Sequence, residues 1–153
     1  MTVGLATFSE TKRQQIFSYW LLGETNVPAQ KITAWERQLD DRRSRNGDRV
    51  DRGWMLGSAL VAGVQGNDDV ALQLIDQFYD AGSLDWAWRA NNRHESCRIL
   101  GMIGAATEVV TCLRNGLDEP SYVAPFLETR LPFYDGIRDE LEFVNLVDDS
   151  LGF

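Results

Sequence analysis

Three residues of types that catalyse reactions or bind metals stand together at positions 94 to 97. His94 and Cys97 are three residues apart, so their side chains would share one face of a helix, and Glu95 lies between them. A zinc site needs four protein ligands, or three and a water molecule, whereas the sequence holds one His and two Cys. We therefore expect no metal site, no cofactor and no enzymatic activity. An enzyme with dispersed catalytic residues is the alternative, with His94 and Cys97 as its first candidates.

The two cysteines, Cys97 and Cys112, are too few for a disulfide framework. They fit small buried thiols in a reducing compartment, with a single bridge between them as the alternative. The first residues, MTVGLATFSETKRQQ, lack the basic stretch and long apolar run of a secretory signal. No apolar run approaches the roughly 20 residues that cross a membrane. We therefore expect a cytoplasmic protein that does not bind membranes.

The net charge of −8 is unevenly distributed along the chain. Residues 1–53 carry nine Lys or Arg against seven Asp or Glu, whereas residues 54–153 carry six against sixteen. Such an acidic surface repels nucleic-acid phosphates, so we expect no DNA or RNA binding. It favours a basic partner surface, although an ordinary solvated surface would explain it equally.

Apolar residues recur at the helical period almost throughout, which predicts an all-α fold. We expect a helix from Phe8 to Leu22 that Thr7 opens, and a second from Pro28 that places Ile32, Trp35 and Leu39 on one stripe before the polar linker DDRRSRNGD. A third runs from Val50 to Val64, and a fourth, from about Asp69 to Tyr79, has a stripe of Ala71, Leu74, Ile75 and Phe78. A capping pattern in Asn92 and Glu95 predicts that the next helix begins there and runs to Ile103, after a loop that holds Trp86 and Trp88.

The sequence predicts three further apolar helical stretches in the last part of the chain. The first is lined by Val109, Val110, Leu113 and Leu117, and the second by Val123, Phe126 and Leu127. After a break at Pro132, a final amphipathic stretch carries Ile137, Leu141, Val144 and Val147 on one stripe.

An internal similarity with an offset of 38 residues joins the two middle helix pairs. Aligning LGSALVAGVQGNDDVALQLI with HESCRILGMIGAATEVVTCL pairs Ser58 with Ser96, Gly63 with Gly101 and Gly66 with Gly104. Each of the two aligned segments is predicted to form a helix, a tight turn with a glycine, and a second helix. Gly66 and Gly104 would permit the left-handed backbone that such a turn often needs.

The segment from Gly66 to Ala71, GNDDVA, resembles the turn and second helix of the tetratricopeptide repeat. The resemblance covers about residues 50–120, although the period of 38 exceeds the family's usual period of about 34. It implies a single domain built as a short right-handed array of helix pairs: an N-terminal helical pair at 1–49, two repeat-like units at 50–120 and a C-terminal cap at 121–153. An ordinary helical bundle is the alternative.

A second resemblance lies in LPFYDGIRDELEF, from Leu131 to Phe143. It is similar to the segment that closes such arrays in bacterial signalling and regulator proteins, with Pro132, Phe133, Asp135, Arg138, Asp139 and Phe143 at the matching positions. The resemblance implies a structural cap, a turn followed by a polar-faced helix that covers the end of the stack.

The repeat resemblance implies a non-enzymatic module that binds a peptide or helix of a partner protein. In the family, partner contacts come from helix positions that match Asn91, His94 and Arg98 here, and Trp86 and Trp88 add aromatic contacts. The same residues could be an ordinary solvent face and core aromatics. The other hypotheses are an acidic inhibitor or immunity-type protein that blocks a basic surface, and a homodimer that associates through the tryptophan segment.

Overall fold

The computed structural model describes residues 10–23, 29–46, 53–80, 86–118 and 125–150. Over these ranges the chain forms α-helices and one 3-10 helix and contains no strand, which confirms the predicted all-α fold. The elements are α1 (Glu10–Leu21), α2 (Ala29–Asn46), α3 (Gly53–Val64), α4 (Asp68–Asp80), α5 (Trp86–Met102), α6 (Ala106–Asp118), α7 (Pro125–Glu128), the 3-10 helix η1 (Pro132–Ile137) and α8 (Leu141–Ser150). No helix in the described ranges is both long and apolar enough to cross a membrane.

Residue contacts divide the chain into two compact units. The first unit is Met1–Phe78 and the second is Tyr79–Phe153, so the boundary falls in the last turn of α4. The predicted organisation as one domain with two stacked repeat units stays a prediction, and each unit is described by itself below.

Helix α3 forms the centre of the first unit. Its sequence is apolar nearly all round, and both α1 and α2 pack against it. Leu56 and Leu60 are fully buried, as expected for a helix that neighbours cover on several sides. Helix α1 contributes Ile16 and Phe17 to this core, and α2 contributes Trp35 and Leu39. The residues predicted to open α1, Thr7 and Phe8, lie outside the described residues.

Helix α5 organises the second unit by packing against both α6 and η1. The contact with η1 depends on Gly101, because a Cβ atom at this position would lie 2.6 Å from the carbonyl oxygen of Phe133 and 2.7 Å from Cδ1 of Tyr134. Helix α6 also packs against α8, and the short α7 contacts both α6 and α8. Only a residue without a side chain allows α5 to approach η1 this closely.

The turn between α3 and α4 has the left-handed glycine that its sequence predicts. Gly66 has a φ of 80°, and its amide donates to the carbonyl of Gly63 at 3.1 Å. The next amide, of Asn67, donates to the carbonyl of Ala62 at 2.9 Å. These two hydrogen bonds form a Schellman motif, which satisfies carbonyls that the end of a helix would otherwise leave unpaired.

The turn between α5 and α6 repeats this geometry 38 positions later. Gly104 has a φ of 75° and donates to the carbonyl of Gly101 at 3.1 Å, while Ala105 donates to the carbonyl of Leu100 at 3.0 Å. Each of these residues corresponds to one in the first turn under the offset found in the sequence. The local turn geometry is therefore the same in both helix pairs, whereas the stacking of the pairs stays a prediction.

The linker predicted at DDRRSRNGD is wrong over its first seven residues, because α2 continues through Asn46. Arg43 lies in this last part of α2, and its guanidinium sits 5.0 Å from the centre of the Trp54 ring on α3. This cation-π contact holds the polar end of α2 against α3. Arginine is also a good helix former, so a charged run alone does not end a helix.

The start predicted for α5 is also wrong, since the helix begins at Trp86 and not at Asn92. Asn92 is a buried residue within the helix. The alanines in WAWRANN favour a helix, and an Asn followed three residues later by Glu does not by itself require a helix start. Trp86 and Trp88 therefore belong to the helix and not to a loop.

Of the apolar residues predicted for the final helical stretch, Ile137 is buried in η1, but Leu141 and Val144 of α8 do not face the core of the second unit. Phe143 and Leu146 are buried there, whereas Leu141 is 72% exposed and Val144 is 39% exposed. The Phe143 ring stacks on that of Tyr134 with their centres 5.8 Å apart. Burial of this larger aromatic side chain determines which face of α8 turns inward.

Candidate functional site

The cysteines predicted as free thiols are joined in a disulfide. Cys97 of α5 and Cys112 of α6 are bonded, with their Cα atoms 5.6 Å apart, and both side chains are buried. A bonded sulfur is neither a thiolate nucleophile nor a metal ligand. The pairing also removes the support that free cysteines gave to the predicted reducing compartment.

Glu95, the carboxylate of the same cluster, is buried at 2% exposure. Among the described residues, no three His, Cys, Asp or Glu side chains are grouped so that they could hold a metal ion. The cluster that first suggested chemistry is therefore an internal part of the second unit.

Arg98, predicted to contact a partner, is engaged by a carboxylate of its own unit. Its Nε donates to Oε1 of Glu128 at 2.7 Å, and its Nη2 donates to Oε2 at 3.1 Å. The guanidinium also lies 5.3 Å from the centre of the Phe133 ring. A substitution of Arg98 would therefore change folding as well as any binding, because it leaves the buried Glu128 carboxylate without its cation.

Tyr134 completes this network by donating its hydroxyl to Oε1 of Glu128 at 3.0 Å. Burial raises the pKa of the Tyr134 phenol well above its ordinary value of 10.0, and the adjacent Glu128 charge and hydrogen bond raise it further. Although burial opposes it, the hydrogen bond and the charge of Glu128 raise the pKa of Arg98. The three groups form a structural network in which Tyr134 stays protonated and Arg98 stays charged.

The other predicted contact residues are on α5, where their roles stay predictions. His94 is half-buried, and its Nδ1 atom is enclosed by the protein. The backbones of Asn91, Trp86 and Trp88 belong to the helix, and their side chains lie outside the described part of the structure.

The closing segment predicted from its resemblance is held together by Arg138. Its Nη1 donates to the carbonyl of Thr129 at 2.7 Å and its Nη2 to that of Leu131 at 2.9 Å, while Nε pairs with Oδ1 of Asp135 at 2.6 Å. One planar guanidinium thus fixes the backbone before η1 and the first turn of η1. These contacts give Asp135 and Arg138 a structural role in the segment.

A concave site that the sequence did not predict lies in the first unit, among α2, α3 and α4. This groove has a volume of about 330 Å³. Its apolar lining consists of Leu39, Val61, Ala62, Val70 and Leu74. Its polar lining consists of Glu36, Asp40, Ser58, Gln65 and Asn67. We refer to these ten residues as the α2–α3–α4 groove.

The apolar part of the groove has a closed floor and an accessible edge. Leu39, Val61 and Ala62 are each at most 4% exposed, so they form the floor. Val70 is 48% exposed and Leu74 is half-buried, so they form the edge. An aliphatic surface that is reachable from solvent and surrounded by polar groups is typical of a site that takes up part of another molecule.

The polar part of the groove is acidic on the side of α2. Glu36 and Asp40 are exposed, and Oε1 of Glu36 accepts a hydrogen bond at 3.2 Å from the side-chain amide of Gln65, which directly follows α3. Among the described residues, the lining contains no Lys or Arg. It also lacks histidine, since the single His of the sequence is His94. The groove therefore combines aliphatic surface with negative charge.

The chain matches no family model, no curated protein and no solved structure. The resemblance to the tetratricopeptide repeat thus stays a prediction drawn from the sequence and from the equivalent turns at Gly66 and Gly104.

One signal in the sequence could have indicated the groove. Glu36, Leu39 and Asp40 occupy neighbouring positions on one side of α2, so the predicted stripe that buries Leu39 also places two carboxylates beside it. The partner positions on α3 and α4 carry no comparable signal, because a groove among three helices depends on how they pack.

Proposed function

We propose that the protein is a non-enzymatic interaction module that holds a short segment of a partner protein in the α2–α3–α4 groove. One observation carries this proposal. The groove has a buried aliphatic floor, for example at Val61, and an exposed aliphatic edge, for example at Val70, and polar residues surround both. Protein interfaces commonly have this arrangement, in which an apolar centre is surrounded by polar groups.

The size of the groove indicates what it can hold. A volume of about 330 Å³ is at the small end of the range for binding sites, so it admits a few side chains and not a folded domain. A peptide or one face of a helix presents side chains in this way. The predicted helix-pair array supports the same function, because such arrays bind extended segments and helices of other proteins.

A selection from a random peptide-display library tests this function with the full chain as bait. The test variant is Val70→Gln with Leu74→Gln, which replaces the aliphatic edge with good helix formers at two accessible positions. Its matched control is Leu22→Gln, the same type of change at a residue of the first unit that is 73% exposed and outside the groove. We expect peptides that bind the wild type and the control and lose affinity for the double variant. Failure to recover any such peptide would contradict the proposal.

The acidic-inhibitor hypothesis is favoured by a different observation, the charge of the second unit. Residues 79–153 hold thirteen Asp or Glu and six Arg. At least three of those arginines, Arg98, Arg114 and Arg138, pair with carboxylates of the same unit. Under this hypothesis a basic partner binds the second unit and is released by salt, and the double variant of the groove leaves its affinity unchanged.

A further inference from the structure

We infer that the α2–α3–α4 groove recognises a partner segment that presents an Arg or Lys beside an aliphatic side chain. The inference rests on the proposed function and adds the chemistry of the partner. Its first support is the position of two carboxylates, Glu36 and Asp40, which are four residues apart on α2 and therefore lie on the same side of the helix. Leu39 lies between them and contributes to the floor.

The carboxylate of Glu36 is positioned by a neutral group. The amide of Gln65 donates to one of its oxygens at 3.2 Å, which orients the carboxylate without cancelling its charge. Asp40 has no hydrogen-bond or ion-pair partner among the described residues. Both carboxylates are thus available to a cation from another molecule.

Among the described side chains, the cations of α2 nearest to this rim make no ion pair with Glu36 or Asp40. Arg43, one turn after Asp40, places its guanidinium over the Trp54 ring at 5.0 Å. Arg37 lies three residues before Asp40, but no ion pair joins the two side chains. Helices α3 and α4 contain no Lys or Arg, whereas α4 begins with Asp68 and Asp69. The described residues that line the groove therefore carry a net negative charge, which attracts a cationic segment.

Charge also argues against two other occupants. A second copy of the chain carries the same net charge of −8, so overall electrostatic repulsion opposes its approach. A partner segment that presented only an aliphatic side chain would fill the floor between Leu39 and Val61. It would leave the two rim carboxylates without a partner. A segment with both features satisfies the floor and the rim together.

The same peptide selection tests this inference through the composition of the peptides it returns. Selections run in parallel on the wild type, on Glu36→Gln with Asp40→Asn, and on the control Asp41→Asn. The control neutralises one exposed carboxylate of α2 that lies outside the lining. We expect the wild type and the control to enrich Arg or Lys next to Leu, Ile or Val, and the double variant to lose that enrichment.

Titration of one selected peptide then measures the contribution of the rim. Exposed ion pairs contribute little individually, so we expect each neutralised carboxylate to weaken binding roughly twofold to fivefold, and Asp41→Asn to change it less than about twofold. Higher salt should reduce the difference between wild type and double variant. Groove-dependent peptides without cation enrichment would overturn this inference and leave the proposed function standing. A selection without groove-dependent peptides would overturn both.

Discussion

The guanidinium of Arg98 and the carboxylate of Glu128 form a two-point contact, with hydrogen bonds of 2.7 Å and 3.1 Å between residues 30 positions apart. The side chain of Glu128 is only 8% exposed, whereas that of Arg98 is 20% exposed. This pair joins α5 to α7 in the second unit and receives a further hydrogen bond from Tyr134. It is a structural contact, although the position of Arg98 in the predicted repeat suggested that this residue binds a partner.

Removal of the negative charge from this pair should destabilise the protein. Glu128→Gln keeps the size of the side chain and leaves Arg98 without a counter-charge, so we expect the free energy of unfolding to fall by about 1 to 3 kcal/mol. Urea unfolding followed by circular dichroism measures the change.

The matched control for this change is Asp149→Asn. Its pair with Arg114 has side chains that are 63% and 46% exposed, so its loss should cost less than about 1 kcal/mol. Equal effects of the two substitutions would show that the Arg98 pair behaves as an ordinary surface contact.

The raised pKa of Tyr134 predicts a loss of stability in alkali. The folded state holds the phenol proton more tightly than the unfolded chain, so this stabilisation is fully present below the ordinary pKa of 10.0 and decreases as the pH rises from there through the folded pKa. The absorbance of ionised tyrosine should show that one of the four tyrosines ionises only as the protein unfolds.

The variant Tyr134→Phe separates this effect from that of other groups that titrate in alkali. It lacks the phenol proton, so its stability should decrease less steeply above about pH 10 than that of the wild type. Parallel pH profiles of the unfolding midpoint for the two proteins would contradict the assignment.

The close approach of α5 to η1 predicts that Gly101→Ala is destabilising. A Cβ at this position lies 2.6 Å from the carbonyl oxygen of Phe133, and this contact is with backbone. We expect a cost of about 1 to 3 kcal/mol from overpacking, although alanine favours a helix over glycine by about 1 kcal/mol. The comparison in thermal unfolding is Gly136→Ala, where a Cβ meets no atom within 4 Å. A Gly101→Ala protein as stable as the wild type would show that α5 and η1 can separate without cost.

The disulfide between Cys97 and Cys112 predicts that the denatured, unreduced protein has no free thiol. The bond closes a loop with a sequence separation of 15, for which loop entropy gives about 3 kcal/mol of stabilisation. Thiol titration in denaturant, followed by unfolding with and without dithiothreitol, tests both statements. Two reactive thiols in the unreduced protein would contradict the pairing.

Local signals in the sequence predicted much of the fold. Of the stripe predicted for α4, Ala71, Ile75 and Phe78 are buried, whereas Leu74 is half-buried. Gly66 and Gly104 were predicted as left-handed turn residues and have positive φ. These features depend on residues within a few positions of each other, so helical period and glycine conformation are sufficient to find them.

Long-range contacts explain what the sequence did not predict. The inward face of α8 depends on Phe143 meeting Tyr134, and the groove depends on Glu36 of α2 lying near Gln65, which is 29 positions away. Arg98 has a periodic position typical of a binding face, yet its actual partner is 30 positions later. Helical periodicity gives the face of each helix but not the helix it packs against.

The central claim is that a partner segment binds the α2–α3–α4 groove, and amide chemical shifts measured by nuclear magnetic resonance test it most directly. A selected peptide is titrated into the labelled full chain at low salt. We predict the largest shifts at Ser58, Gln65 and Asn67 of the groove. Shifts confined to α5 around His94 and Arg98, with the groove amides unchanged, would contradict the account.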